Sequence, residues 1–207
     1  MNVPHEYKAR SIREAPDELL QVDLTGLNGS PRHFTGGPLL NALLLSVGIN
    51  SHAPTQAVPT EEDLPVLHEH MMRTTGISDS IYELVGELNK KTILQYTLHR
   101  IASWKQLKLA LAEGLSPMVG GSVYDSFLKA ETTGVVPMPK PGEGLLGGHI
   151  ASLISFDPAG DIAVAFANLG PQFGHKGKIK LRGSYIRNLS ISSDFFVLVP
   201  GSVEYAH

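Results

Sequence analysis

The chain has 207 residues, 42% of them apolar and 18% charged, with a formal net charge of −3. That composition suits one globular domain and excludes wholesale disorder. With no cysteine, disulfides, thiolate metal sites and cysteine nucleophiles are all excluded.

Residues 1–35 are Pro-rich and irregular, with one candidate strand at LLQVDL. They lack the apolar core of a signal peptide, so synthesis as a soluble cytosolic chain is expected. Gly36 and Gly37 then break the chain and Pro38 opens a helix over residues 38–48. Proline suits the first helical position because the N–H it lacks would be unpaired there. LLNALLLSV is apolar all round, which predicts burial on every side. The longest apolar run, LLNALLLSVGI, is too short to cross a bilayer. No membrane partner is expected.

SHAPTQAVPTEEDLP reads as a polar loop, and Pro65 to Lys91 as helical. Ser78 is the expected N-cap of SDSIYELVGELNKK, whose early acids and late lysines suit the helix dipole. SWKQLKLALAEG is a further helix, capped by Ser103 and ended by Gly114. The triplet His68, Glu69, His70 invites a metal reading. Residues two apart on a helix point in different directions, so two surface histidines are expected and no metal site. Neither GGSVYDSF nor LLGGH follows a phosphate-binding pattern, and no cofactor is expected. No cluster of Lys and Arg stands out along the chain, so nucleic acid is not an expected partner.

After Gly114 come short apolar-rich segments separated by PKPGEG, DPAGD, PQFGHKG and RN, a run of antiparallel strands. The fold class is α+β. A single domain over residues 1–207 is expected, with a helical lobe over about 36–113, a β-rich lobe over 114–207 and an irregular segment over 1–35.

Four motifs carry a family resemblance: LKLALAEGLSPMVGGSVYDSF, TGVVPMPKPGEGLLGGHIASLISFD, AFANLGPQFGHKGKIKL and SSDFFVL. In order and spacing, Trp104 to Val199 resembles the papain-like cysteine peptidases, most of all their short bacterial and phage branch. The N-terminal half matches loosely, through GGPLLNALL, which looks like the family's Gly-Ser-Cys turn into its central helix. The resemblance implies a two-lobed papain-like fold. It matches His149 to the catalytic histidine, Asn168 to the asparagine that orients it, and Phe173 to Gly177 to the aromatic-Gly turn. After Asn168 this chain has NLGP, one residue shorter than the family's Asn-Ser-Trp-Gly and without its tryptophan. His149 and Asn168 are expected on adjacent strands, facing the N-terminus of the Pro38 helix.

The front half departs from the family at each chemical position. Pro38 takes the place of the nucleophilic cysteine. Sliding the register to NGSPRHF puts Pro31 there instead. Arg32 or a neighbour replaces the glutamine of the oxyanion hole, and Leu39 replaces an aromatic or small residue. Proline has no side-chain nucleophile and no N–H. It therefore removes both the attacking atom and one of two oxyanion donors. Ser30 and Thr35 lie near the turn, but neither would project from the helix as the family cysteine does.

His149 and Asn168 therefore read as vestigial, with no catalytic residue assigned. The resemblance then implies a pseudoenzyme acting as a structural or protein-binding module, and by analogy a structural part of a phage virion. Its partners would be other protein subunits, with a peptide in the inactive cleft as a further partner. Two alternatives stand beside this. One is a hydrolase using His149 with a nucleophile other than cysteine, such as water. The other is a peptide-binding regulator that uses the inactive cleft.

Overall fold

The computed structural model describes residues 5–8, 18–22, 37–50, 63–75 and 80–201. Two short strands, β1 (His5–Glu6) and β2 (Leu20–Gln21), precede the first helix, α1 (Pro38–Asn50). Proline starts α1, and Leu40 to Ile49 is buried throughout. Its two buried polar side chains, Asn41 and Ser46, turn back on the chain. Asn41 Nδ2 donates to the Gly37 carbonyl at 2.8 Å and Ser46 Oγ to the Ala42 carbonyl at 2.9 Å. Each buried polar group is thereby paired, which removes most of its desolvation cost.

Two amphipathic helices follow, α2 (Leu64–Thr75) and α3 (Ile81–Lys91). The cap of α3 is Ser80, whose hydroxyl accepts from the Glu83 N–H at 3.4 Å. Ser78, expected in that role, lies outside the described residues. Leu84 and Leu88 are buried, and Lys90 and Lys91 close the last turn, as the helix dipole favours.

Within the half read as mostly helical, Tyr96–Arg100 forms a strand, β3, with Tyr96 and Leu98 buried and Thr97 exposed. Helix α4 (Trp104–Ala112) is capped by Ser103, which accepts from Gln106 N–H at 3.2 Å, and Gly114 follows at φ +77°. The remaining strands are β4 (Met118–Tyr124), β5 (Leu145–Asp157), β6 (Ile162–Phe166), β7 (Lys178–Arg182) and β8 (Ser192–Pro200). Short helices α5 (Ala130–Thr133) and α6 (Gly183–Ile186) lie between them, with a 3₁₀ turn at Asp125–Lys129.

The strands form one sheet in the order β1-β3-β8-β4-β5-β6-β7, with β2 beside β5. All pairs are antiparallel except β1 with β3. Alternation splits the core in two. Met118, Ile150, Leu198 and Tyr96 pack with α1, α2 and α3, whereas Val119, Ala151 and Val197 pack with α4. Among the described residues, no helix is long and apolar enough to cross a membrane.

The outer edge of β3 has an unusual cover. Asn89 of α3 donates to the Tyr96 carbonyl at 2.8 Å and accepts from the Tyr96 N–H at 2.7 Å, as a neighbouring strand would. Asn89→Ala is expected to leave both groups without that partner and to cost about 1–3 kcal/mol. A chemical-denaturation midpoint unchanged from wild type would refute this.

Candidate functional site

Pro38 stands where α1 begins. The preceding Gly37 has φ +92°, a left-handed conformation that glycine adopts without strain. Asn41 holds this turn twice, through its side chain and through its N–H, both donating to the Gly37 carbonyl. The turn is thus fixed from within the helix, with a pyrrolidine ring at its tip. Ser30, Pro31, Arg32 and Thr35 lie outside the described residues.

His149 is on β5, opposite Gly121 of β4. Its Nε2 lies 2.6 Å from the Ala167 carbonyl. A carbonyl only accepts, so Nε2 carries the proton, and in the neutral ring Nδ1 keeps its lone pair. The ring leans on Phe127 at 5.6 Å between centroids, and Phe127 stacks on Phe173 at 5.4 Å. Gly120, Gly121 and Tyr185 line with the imidazole an apolar hollow of about 30 Å³, water-sized.

Asn168 comes to the same place by a different contact. It is buried, has φ +57°, and donates through Nδ2 to the Ile150 carbonyl at 3.1 Å and to Ser152 Oγ at 3.3 Å. The imidazole is therefore held by the backbone carbonyl of the residue before Asn168. Alternation along β5 puts Ile150 and Ser152 on the face of α1, and His149 on the other. The expectation that both side chains face the Pro38 helix is corrected accordingly. The motif register brings the two residues together, but their side chains engage opposite sides of β5. The reason is local: the left-handed turn at Asn168 aims its amide at β5 rather than at the ring.

Sequence reading missed the Ala167 carbonyl, which no side-chain pattern can announce. It also missed Phe127, although DSF could have suggested an aromatic wall. Glu143, in the turn PGEG, accepts from the Ser126 N–H and from the Lys140 N–H at 2.7 Å, pinning the loop ahead of β5. The Ser126 hydroxyl first, and then the Lys140 N–H, hold its carboxyl below the ordinary carboxylate range. In the triplet His68, Glu69, His70, Glu69 pairs with Arg73 at 2.9 Å and His70 reaches Glu87 at 3.4 Å. Among the described residues, no group of three or more potential ligands could hold a metal.

Burial pushes the His149 imidazole below its ordinary value of 6.5, against an opposing effect of the Ala167 bond. The folded state then binds its proton later than the unfolded chain as pH falls. The associated stability is complete above about pH 6.5 and is lost as pH drops from there toward the folded value. An NMR titration is expected to place His149 below 6.5 as the Nε2–H tautomer. A midpoint above 6.5 would contradict the enclosed ring.

No family model matches the chain. It is 27% identical over 96 residues to the uncharacterized peptidase C1-like protein L477 of Acanthamoeba polyphaga mimivirus, a match covering 45% of this chain and 31% of that protein. Among solved structures it is similar to xylellain, a cysteine protease from Xylella fastidiosa, with a TM-score of 0.70, 18% identity, and coverage of 96% of this chain and 92% of that one. A match to proCathepsin B S9 from Trypanosoma congolense has a TM-score of 0.39, 15% identity, and coverage of 52% and 36%. The superposition on xylellain assigns the fold: α+β, papain-like, with helices ahead of an antiparallel sheet.

Proposed function

We propose that this papain-like chain is a peptidase relative without peptidase chemistry, acting as a structural or protein-binding module. The observation that carries the reading is that Pro38 opens α1 in a chain with no cysteine at all, at the position the motif register matches to the nucleophile. Proline there supplies neither a thiol nor a backbone N–H to an oxyanion. The geometry around His149 agrees, since the imidazole is committed to a backbone carbonyl and an aromatic wall. The finer form, a structural part of a virus or phage particle whose partners are other subunits, rests on the viral source of the similar protein and on the phage branch of the family.

Purified protein is expected to release no fluorophore from a panel of fluorogenic peptides and to leave casein intact. Cleavage that disappears with His149→Ala would sink the reading. For the finer form, mass spectrometry of purified particles should recover the chain in stoichiometric amounts, and its absence would remove that form alone.

One observation favours a second reading. The proton on His149 Nε2 leaves Nδ1 basic, and burial keeps the ring neutral near pH 7. A neutral imidazole with a free lone pair can serve as a general base for water. The same His149→Ala comparison decides between the two.

A further inference from the structure

We propose that the solvent face of β7 docks a carboxylate-bearing, extended segment of a partner protein. Along Lys178–Arg182, Ile179 and Leu181 enter the core, while Lys178, Lys180 and Arg182 share the outward face. Exposed Lys176 precedes them. Alternate residues on one face of a strand are about 6.6–6.8 Å apart, so Lys178, Lys180 and Arg182 form an evenly spaced row, with Lys176 in the turn before it at φ +55°. Among the described residues, none of the four has a carboxylate within ion-pair distance. The Asp161 carboxylate is held by both arms of Arg187 at 2.8 and 2.9 Å. Lys178 covers the buried Phe166 ring at 5.4 Å. In a chain of net charge −3, this concentrates positive charge against a negative remainder.

The register adds a second row. Val164 lies opposite Lys180 and Ile162 opposite Arg182, so half-buried Val164 and exposed Ile162 flank the cations. The backbone edge is meanwhile occupied. Lys180 N–H donates to the Gly134 carbonyl at 2.8 Å, Val136 N–H to the Lys180 carbonyl at 2.9 Å, and His175 and Lys178 exchange bonds at 2.9 and 3.2 Å. Strand addition is closed at these positions, which leaves the side-chain face for recognition.

An extended peptide presents every second side chain on one face, with the same repeat as β7. Asp or Glu at alternate positions would therefore meet the cations one to one. A nucleic acid fits less well. The aromatic ring on this face, Phe166, is 3% exposed and offers no stacking platform, and the negative remainder repels a long polyanion. The surface stands whether or not the His149 cleft is inert, and binding to it does not read peptidase activity.

The test uses fluorescence anisotropy with a labelled peptide carrying Glu at alternate positions. Controls are a peptide of equal composition with its Glu grouped at one end, and an oligothymidylate of equal charge. The alternating peptide should bind best, and more weakly as salt rises. Lys180→Gln with Arg182→Gln should weaken it about tenfold with melting unchanged. Lys180→Glu with Arg182→Glu should transfer binding to a peptide with alternate lysines, a gain that unfolding cannot imitate. Equal binding of the grouped peptide, tighter binding of the oligothymidylate, or indifference to both double variants would each overturn the proposal.

Discussion

Replacing Pro38 with cysteine is expected to create a thiol that alkylates faster than a free cysteine yet cleaves no peptide. The residue would open a 13-residue helix behind a turn fixed by Asn41. There the helix dipole favours a thiolate. Its restored N–H would also return one oxyanion donor. The glutamine donor would still be missing, and one absent donor costs about 10²–10³ in rate. His149 would give little help, because its ring is held on the other side of β5 by Ala167. Iodoacetamide labelling of Pro38→Cys should therefore hardly change when His149→Ala is added. A marked loss of labelling in the double variant would mean that the thiol and imidazole form a pair. Peptide cleavage by Pro38→Cys that requires His149 would mean that the turn retains the full peptidase geometry.

Gly121→Ala should be among the most damaging single-methyl additions in the chain. A Cβ on Gly121 would overlap the Ile191 carbonyl oxygen and lie 2.8 Å from Ser192 Cα. Both obstacles are backbone, so no side chain can swing aside. Strands β4 and β8 would have to part at the bulge between Gly120 and Gly121, beside His149. The cost is expected at about 3 kcal/mol or more, a fall of roughly 6–12 °C in Tm for a chain of this size. Two controls set the scale. Gly148 and Gly86 have open space where a Cβ would go. Gly148→Ala should be near neutral, and Gly86→Ala, in exposed helix, should stabilise by about 0.5–1 kcal/mol. Equal melting of Gly121→Ala and wild type would show that the two strands can separate freely.

What could be read from the residues depended on how local each signal was. The helix at Pro38 was legible because proline, the glycine pair and an unbroken apolar run all act within a few residues. Strand β3 was not, although Tyr96, Leu98 and their exposed neighbours alternate, because five residues between two strong helices make a weak period. SDS offers two serines for the cap of α3, and only the bond to Glu83 chooses Ser80 over the expected Ser78. His149 and Asn168 were found by motif. That each side chain bonds elsewhere rather than to the other was not foreseeable, because it turns on one backbone torsion at Asn168. The cationic row on β7 was invisible to a count along the chain. Apolar residues separate the charges in sequence, and only the pleat gathers them on one face.

The placement of β8 between β3 and β4 bears on how the chain is assembled in time. Tyr96 pairs with Pro200 and Met118 with Phe196, so the centre of the sheet is completed by a strand far down the chain from both neighbours. Such distant pairing carries a loop-closure cost that no nearby contact repays early, and it slows folding. During synthesis β3 and β4 emerge first, each with an edge that has nothing to pair with until β8 arrives. For that interval the nascent chain presents two open edges and an unsealed apolar face, which is where chaperones or misassembly would act.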